Sequence, residues 1–281
     1  MRISVIVPFH NTEPYLEKCI YSLLSQTYPH DQYETIMVDN NSTDRSAEIA
    51  GSYSRIKLIS ERRPGAYAAR NLAIGFASGE IVAFIDADCV AAADWLEQIA
   101  AAMLPAGCAV IQGRRDFAKD SFALSALAAY EEEKANFVFS GDDRRAYYAC
   151  MANLATRKSV LEAVGPFLEM ARGADVVFVQ RVIDRYGCCA VRYAPGMRVR
   201  DLEVRNAAVW YRKLFVYGRS HANYRKLVSV RALGLGDRTR IYRNAVRRAG
   251  YSLPRAALSL PVLALGAGCY DLGRCLPPYH R

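Results

Sequence analysis

Short apolar runs alternate with stretches of helical periodicity as far as residue 112. The segments whose continuous apolar character predicts buried strands are 3–7, 33–38, 56–59, 81–85 and 108–112. The segments between them that predict helices are 16–24, 44–50, 66–77 and 95–104. Strands and helices that alternate at such short intervals are typical of a mostly parallel sheet covered on both faces. The pattern therefore predicts an α/β fold.

The second half of the chain is less regular. Helices are predicted over 122–139, 157–164 and 175–186, and a strand over 147–156. The last helix opens with Asp175. Because the positive end of the helix dipole stabilises an acid in the first turn, a purely structural role is one interpretation of Asp175.

Two carboxylates follow the fourth predicted strand. Asp86 and Asp88 come directly after the apolar run Ile81–Ile85, so both acids lie at the tip of a strand. A hard cation such as Mg²⁺ or Mn²⁺ prefers carboxylate and phosphate oxygens, so this spacing is suited to hold a metal and a nucleotide. A polar turn after the strand is the alternative, since Asp is common in turns.

Three predicted strands end in polar residues. These ends are residues 8–11, 39–42 and 86–88. In open α/β sheets the ligand crevice lies outside the carboxyl ends of the strands, so the three clusters are expected to meet at one edge. This convergence favours a binding site over an isolated turn.

Length and cysteine content limit the class of protein. The 281 residues are 52% hydrophobic, enough for one large core with an appendage. The eight cysteines include no Cys-x-x-Cys pair, which indicates reduced thiols, mostly buried. The first strand begins at residue 3 without the cleavage site of a signal peptide, so we predict a cytoplasmic location.

The net charge of +9 is concentrated near the C-terminus. Residues 192–248 contain fifteen Lys or Arg and three Asp or Glu, a net +12, so the remainder sums to −3. A segment of this kind can bind nucleic acid, an anionic membrane or a phosphorylated substrate, or form a solvated helical face. Tyr211, Tyr217 and Tyr224 among the arginines match a helix packed on the core, so we do not expect nucleic acid as a partner.

An apolar stretch follows the basic segment. Residues 256–270 carry no charge and are interrupted by Pro261, Gly266 and Gly268. Fifteen residues are fewer than the roughly 20 that span a bilayer. A basic segment that leads into a short apolar one is typical of an element in the membrane interface, peripheral at the cytoplasmic face. A hydrophobic helix packed on the core is the alternative.

Six short motifs occur in order within residues 1–220. They are Val5-Ile6-Val7-Pro8-Phe9-His10-Asn11, Val38-Asp39-Asn40-Asn41-Ser42-Thr43-Asp44, Gly65-Ala66-Tyr67-Ala68-Ala69-Arg70-Asn71, Asp86-Ala87-Asp88, Ala152-Asn153-Leu154-Ala155 with Val164-Gly165-Pro166-Phe167, and Gly173-Ala174-Asp175. Each is weak alone, but together they resemble glycosyltransferase family 2, the inverting GT-A glycosyltransferases. The resemblance implies the GT-A (nucleotide-diphospho-sugar transferase) fold, a central mostly parallel sheet flanked by helices, over residues 1–220. Residues 221–281 would form a basic and apolar helical region.

The resemblance also implies roles for individual residues. The residues implied to bind the nucleotide-sugar are Pro8, His10, Asp39, Asn40, Arg70 and Asp86. The residues implied to hold Mn²⁺ or Mg²⁺ are Asp86, Asp88 and Asp201. Asp175 is implied as the general base that takes the proton of the acceptor hydroxyl.

Three positions depart from the family pattern. Asn40 stands where the family often has a second Asp, and Ala174 replaces the usual Glu before the base. Asp201 stands where the family often places a His as an additional metal ligand. A carboxylate can ligate either metal, whereas the alternative for Asp201 is an ion pair with Arg200 or Arg205.

The resemblance implies an inverting, metal-dependent transferase that adds one sugar from a nucleotide-diphosphate donor to an acceptor in cell-surface glycan biosynthesis, including lipid-linked acceptors. Residues 180–182 lack the Gln-x-x-Arg-Trp pattern of processive synthases, which favours a single addition. A sugar nucleotidyltransferase is one alternative, but residues 8–11 contain no glycine for its phosphate loop. A catalytically silent binding or scaffold protein of the same fold is the other.

Overall fold

The fold is taken from a computed structural model that describes residues 1–118, 120–141 and 143–277, except the side chain of Arg145. The strands are β1 (Ile3–Phe9), β2 (Tyr33–Asp39), β3 (Ile56–Ser60), β4 (Ile81–Ile85), β5 (Cys89–Ala91), β6 (Val110–Asp116), β7 (Asn153–Arg157) and β8 (Val191–Asp201). The α-helices are α1 (Glu13–Leu24), α2 (Ser46–Gly51), α3 (Ala66–Phe76), α4 (Trp95–Ala102), α5 (Phe122–Phe139), α6 (Lys158–Val164), α7 (Ala174–Tyr186), α8 (Ala207–Tyr224), α9 (Leu235–Arg248) and α10 (Leu253–Arg274).

One mixed sheet organises the fold, with strand order β3-β2-β1-β4-β7-β6-β8-β5. The first four strands in this order are parallel. Strand β7 is antiparallel to both of its neighbours, β8 runs parallel to β6, and β5 pairs antiparallel with β8. The predicted mostly parallel sheet is confirmed, with antiparallel pairs confined to its second half.

The core lies on both faces of the sheet. Alternate residues of a strand point to opposite faces, so Ile3, Val5 and Val7 belong to a core that includes residues of α1 and α4, whereas Ile6 belongs to one that includes residues of α3, α5 and α7. All three side chains on the first face and Ile6 on the second are fully buried. Burial on both faces explains why β1 has no polar alternation in its sequence.

Most elements predicted from periodicity are present, but two predictions are wrong. The strand expected over 147–156 is limited to β7, and β6 continues beyond the expected end at residue 112 to Asp116. Strands β5 and β8 were not predicted. The first has three residues, and the second contains Pro195 and Gly196 among alternating arginines, so neither has an apolar run.

Helix α10 is longer than the apolar pattern predicted. It has 22 residues because Pro254 lies in its first turn, where a missing N–H costs no hydrogen bond, and Pro261 is accommodated within it. Among the described residues it is the helix that is long and apolar enough to cross a membrane by length and composition. The helix is therefore longer than the fifteen apolar residues from which this segment was expected to be too short to span a bilayer.

Glycines let α10 approach α8 closely. A Cβ atom on Gly218 would overlap the carbonyl oxygen of Tyr270, and one on Gly273 would overlap that of Phe215. The opposite side of α10 exposes Leu258, Leu265 and other leucines. One side of α10 therefore packs on the domain while the other remains exposed. The expected domain boundary at residue 220 falls inside α8.

Candidate functional site

The ends of β1, β2 and β4 meet at one edge of the sheet, as predicted. His10 Nδ1 donates a hydrogen bond to the carbonyl oxygen of Asn40 at 2.9 Å. Asn11 Oδ1 accepts a hydrogen bond from the amide of Thr43 at 2.8 Å. Pro8 is buried inside β1 and pairs with Val38 in the sheet register. These contacts fix the loops that follow β1 and β2 against each other.

Asp39 and Asn40 differ in how much of their side chains remains available. One oxygen of Asp39 accepts from the amide of Ser42 at 3.0 Å. Asn40 is buried and donates to the carbonyl oxygens of Glu61 and Arg63, both at 2.8 Å, while its own oxygen accepts from the amide of Gly65 at 2.7 Å. In this structure Asn40 holds the loop before α3, and its contact with a nucleobase stays a prediction.

Arg70 connects helix α3 to the acid pair. Its Nη2 lies 2.6 Å from Asp86 Oδ1, and the arginine is 4% exposed. The guanidinium also lies 5.3 Å from the centre of the Tyr67 ring. The Nε atom is buried and has no hydrogen-bond partner within the described residues. Arg70 therefore fixes Asp86 at the edge of the sheet and retains one unused donor there.

Asp88 and Asp201 are brought together by strands that the sequence pattern did not predict. In the β5–β8 pair Cys89 lies opposite Asp201, and the amide of Leu202 donates to the carbonyl oxygen of Asp88 at 2.8 Å. Asp201 is 3% exposed, and its Oδ1 accepts from the amides of Glu203 and Val204. The pairing of β5 with β8 thus brings Asp88 and Asp201 close together, although they are far apart in sequence.

The ammonium of Lys213 lies between these acids. Its Nζ is 2.9 Å from Asp201 Oδ2 and 3.8 Å from Asp88 Oδ2. Asp201 is therefore paired with Lys213, rather than with the expected alternatives Arg200 or Arg205. Burial raises the pKa of Asp88 to about 6, and the charges of Asp86 and Asp201 act in the same direction, against that of Lys213.

Two of the three acids at this edge are placed to bind a hard divalent cation. Asp88 and Asp201 offer oxygen ligands at one point, whereas Asp86 is turned towards Arg70. Among the described parts of the chain no cluster of three or more His, Cys, Asp or Glu side chains forms a complete metal site. A metal held here would use two protein carboxylates and complete its shell with phosphate or water oxygens.

Asp175 lies at the start of α7 beside Tyr67. The backbone amide of Asp175 donates to the Tyr67 hydroxyl at 3.4 Å, and Asp175 Oδ1 accepts from the amide of Val176 at 3.0 Å. Burial raises the pKa of Asp175 above its ordinary value of 3.8, although the neighbouring Tyr67 hydroxyl opposes the shift. Gly173 precedes the helix with φ of 96°, and a Cβ atom there would overlap the Tyr224 ring. The glycine therefore permits the turn that places Asp175.

A cavity of about 330 Å³ opens beside Asp175. Its wall is rich in aromatic side chains: Tyr67, Tyr130, Tyr148, Tyr193, Trp210, Tyr217, Tyr224 and Tyr270. Two other acids line it, but Glu131 is paired with Lys134 and Glu132 with Arg114. Asp175 is thus the acid of this wall that has no ion pair within the described residues.

Arg115 is a further charged group in the cavity wall. Its guanidinium lies 4.9 Å from the centre of the Trp210 ring, and Nη1 donates to the Tyr217 hydroxyl at 3.3 Å. No carboxylate of the described residues forms an ion pair with it. Sequence reasoning missed Tyr67, Arg115 and Lys213 as site residues, because each lies in a pattern that is also typical of a packed or solvated helix or strand.

Solved structures share this architecture. A mannosyltransferase from Pyrobaculum calidifontis, solved with GDP-Man and Mn²⁺, aligns with a TM-score of 0.64 at 20% identity, covering 97% of this chain and 84% of that one. Residues 1–349 of S. aureus TarS align with a TM-score of 0.55 at 18% identity, covering 97% and 81%. At these identities the likeness establishes the fold, so the predicted GT-A fold is confirmed.

Relatives in sequence extend the comparison. Glycosyltransferase AglE of Haloferax volcanii is 34% identical over 189 residues, which cover 65% of this chain and 61% of that protein. A poly(ribitol-phosphate) beta-glucosyltransferase of Bacillus spizizenii is 38% identical over 96 residues, 31% of this chain and 15% of that protein. The chain thus spans less than two thirds of either relative.

The family assignment rests on the N-terminal part of the chain. Residues 4–165 match the model of Glycosyl transferase family 2. This segment contains β1 to β7 and the acid pair at the end of β4. Because the match covers more than half of the chain, the protein belongs to glycosyl transferase family 2.

Proposed function

We propose that this protein is an inverting glycosyltransferase that transfers one sugar from a nucleoside-diphosphate donor to a hydroxyl of a glycan or lipid-linked acceptor in cell-surface glycan biosynthesis. The observation that carries the proposal is the position of Asp175. Among the described residues this acid has no ion-pair partner, and it lies beside Tyr67 at the wall of a cavity of about 330 Å³. A carboxylate placed in this way can accept a proton from a bound hydroxyl.

Asp175 supplies the general base of this reaction. As the acceptor oxygen forms its bond to the anomeric carbon, its proton moves to the Asp175 carboxylate while the bond to the nucleoside diphosphate breaks. Attack from the side opposite the leaving group inverts the anomeric configuration. The contact of the Asp175 amide with the Tyr67 hydroxyl holds the start of α7 at the cavity wall, where both residues lie.

The edge formed by β1, β2 and β4 holds the donor. Asp39 and the loop from His10 lie beside the region where a nucleoside would bind, and Arg70 places a guanidinium next to Asp86. Asp88 and Asp201 would hold Mn²⁺ or Mg²⁺, which would neutralise charge on the leaving diphosphate. The mannosyltransferase structure in complex with GDP-Man and Mn²⁺, and a TarS structure with UDP-GlcNAc, support this class of donor.

The aromatic cavity receives the acceptor. Tyrosine and tryptophan rings offer flat apolar faces together with hydroxyl or indole donors, which suit the alternating apolar and polar faces of a sugar ring. Arg115 adds a cation that has no carboxylate partner among the described residues. An acceptor that carries a phosphate or carboxylate near its reactive hydroxyl would satisfy this guanidinium.

Donor binding provides the direct test of the proposed function. Calorimetric titration of the full chain with UDP, GDP and dTDP, each with and without Mn²⁺, should give binding of one nucleotide that depends on the metal. The matching nucleotide-sugars should then be tested for release of nucleoside diphosphate in the presence of acceptor. The anomeric configuration of the product, determined by NMR, should be opposite to that of the donor.

The contradictory results are equally specific. If no nucleotide binds under either condition, a catalytically silent scaffold of this fold replaces the proposed enzyme. If the sugar is transferred with its configuration retained, Asp175 does not act as the base of a single displacement.

We further propose that the uncovered side of α10 lies in the surface of an anionic membrane. Leu258 and Leu265 are 63% and 55% exposed on this side, and no charged residue occurs between residues 256 and 270. The preceding helix α9 exposes arginines that include Arg240, Arg243 and Arg247. Exposed apolar side chains beside a cationic helix suit the acyl boundary and the headgroups of such a surface. This position would place the cavity near lipid-linked acceptors.

Replacing the exposed leucines should release the protein from vesicles. The double change Leu258→Asp and Leu265→Asp removes two apolar contacts, each contributing about 1.5–3 kcal/mol when fully buried, so affinity should fall by at least about tenfold. Co-sedimentation with phosphatidylglycerol-containing vesicles measures the effect. Leu104→Asp is the matched control, because Leu104 is 74% exposed and lies two residues after the end of α4. Wild-type protein that remains in the supernatant with these vesicles would contradict the proposed membrane contact.

A further inference from the structure

Lys213 occupies the meeting point of three carboxylates. Its Nζ lies 2.8 Å from Glu203 Oε2, 2.9 Å from Asp201 Oδ2 and 3.8 Å from Asp88 Oδ2. The carboxylates come from the end of β8, the loop after it and the loop after β4, whereas Lys213 comes from α8. The ammonium therefore lies at the point where the proposed function requires a divalent cation.

The hydrogen bonds of Asp201 leave one carboxylate oxygen for which the Lys213 ammonium and a divalent metal ion would compete. Its Oδ1 is taken by the amides of Glu203 and Val204, so Oδ2 is the oxygen available to a cation, and Lys213 uses it. A divalent cation on the same oxygen would lie within a few ångströms of the ammonium. Because like charges at such separations repel, the two cannot both keep their full contact with Asp201.

The charge of the three carboxylates explains why the site can bind either the Lys213 ammonium or a divalent metal ion. Three carboxylates face one ammonium, so Lys213 offsets one of three negative charges and leaves an attraction for further positive charge. The side chain of Lys213 is 17% exposed, and its ammonium is carried on a flexible chain of four methylene groups. It can leave Asp201 while staying near Glu203, whose side chain is 49% exposed.

We propose that Lys213 is an internal competitor of the metal, which makes metal binding depend on the donor. This inference rests on the proposed function. In the free enzyme the ammonium holds Asp88 and Asp201 in place and weakens the binding of a divalent cation. When a nucleoside diphosphate binds, its phosphate oxygens accept the ammonium, and Asp201 Oδ2 becomes available to the metal. Metal and nucleotide therefore strengthen each other's binding by the same factor.

The test measures Mn²⁺ affinity rather than turnover. The electron paramagnetic resonance signal of free Mn²⁺ is followed during titration of the full chain, alone and with UDP or GDP, and is corrected for Mn²⁺ bound by the free nucleotide. Without nucleotide, Lys213→Met should bind Mn²⁺ about tenfold more tightly than wild type, a factor typical of coupling between ligands. The gain in affinity on adding nucleotide should be smaller in the variant.

Two further variants separate this role from a general loss of charge or structure. Lys226→Met removes an exposed positive charge just after α8 and should leave Mn²⁺ affinity unchanged. Lys213→Arg retains the charge and should retain the weak binding of the wild type. Circular dichroism shows whether Lys213→Met folds. If it does not, the inference is tested by the wild-type titrations alone. Equal Mn²⁺ affinity of the wild type with and without nucleotide then overturns it.

The two proposals fail differently in this experiment. If wild type and Lys213→Met bind Mn²⁺ with the same affinity and the same response to nucleotide, the competition is refuted and the metal site of the proposed function remains. If neither protein binds Mn²⁺, alone or with UDP or GDP, the proposed metal dependence is refuted, and the competition with it.

Discussion

Replacing Asp175 with Asn should reduce turnover by about 10²–10⁴-fold while donor binding remains unchanged. The amide has the shape of the carboxylate but cannot take the proton of the acceptor hydroxyl. Since Asp175 lines the cavity and not the edge that carries Asp86 and Asp88, nucleotide affinity should be preserved. Steady-state rates and calorimetric nucleotide titration on the same preparation measure the two effects.

The control for this variant lies on the same helix. Asp184→Asn removes an exposed acid near the end of α7 that pairs with Arg144, and activity should stay close to that of wild type. A turnover for Asp175→Asn within a few-fold of wild type would show that the base lies elsewhere. The paired acids Glu131 and Glu132 would then be the next candidates in the cavity.

The pH dependence of activity and the thermal stability of Asp175→Asn, compared with wild type, test whether Asp175 is buried as the structure shows. Burial raises the pKa of Asp175, so wild-type kcat/KM should rise with pH through a midpoint above 3.8, as the carboxylate loses its proton. Because the folded protein disfavours the ionised form, Asp175 lowers stability by an amount that is complete above this midpoint and disappears as the pH falls below the ordinary pKa of 3.8. Asp175→Asn should consequently lose this limb of the profile and melt no earlier than wild type near pH 7.

The second large effect is expected at Asp88. Replacement with Asn removes the charged oxygen that faces Asp201 and Lys213, so metal-dependent nucleotide binding should be lost. Activity should fall by about 10²–10³-fold, the size observed when one electrostatic contact to a developing charge is removed. Titration of the nucleotide with and without Mn²⁺ separates loss of the metal from loss of the nucleotide.

The matched control is another acid close to this loop. Asp94→Asn changes the residue before α4, whose carboxylate accepts from Gln98 Nε2 at 3.0 Å. Metal-dependent binding should survive that change. Metal-dependent binding that is equally strong in Asp88→Asn would exclude Asp88 as a ligand and leave it as a partner of Lys213.

The edge of the sheet at the ends of β1, β2 and β4, proposed above as the donor edge, could be predicted from sequence because the signals of its elements are local. A buried parallel strand such as β4 is a continuous apolar run, and the polar residues after it mark its end. Parallel strands place their carboxyl ends on one side, so the position of His10, Asn40 and Asp86 at one edge followed from the order of elements. The apolar stretch 256–270 did not show that α10 extends over 22 residues, since helix interruption by proline depends on position and context.

The remainder of the site depends on contacts between residues far apart in the chain. Asp201 was identified from its place in a motif, but its contact with Asp88 comes from the antiparallel pairing of β5 with β8, and neither strand has an apolar pattern. Tyr67 reaches Asp175 across 108 positions, and Arg115 meets Tyr217 across 102. Periodicity gives no information about such distances, because it reports which face of an element is buried and not which element covers it.

The sequence by itself determined the family, the α/β alternation and the acids at the donor edge, because each is encoded in short motifs and in burial patterns along single elements. Tertiary structure alone decided that Lys213 lies among the acids and that Asp175 has no ion pair with any residue that the structure describes. It also decided that one side of α10 packs on α8 while the other remains exposed. These features arise where helices and strands from distant parts of the chain pack together, and the free energy of that packing depends on side-chain shape and charge in three dimensions.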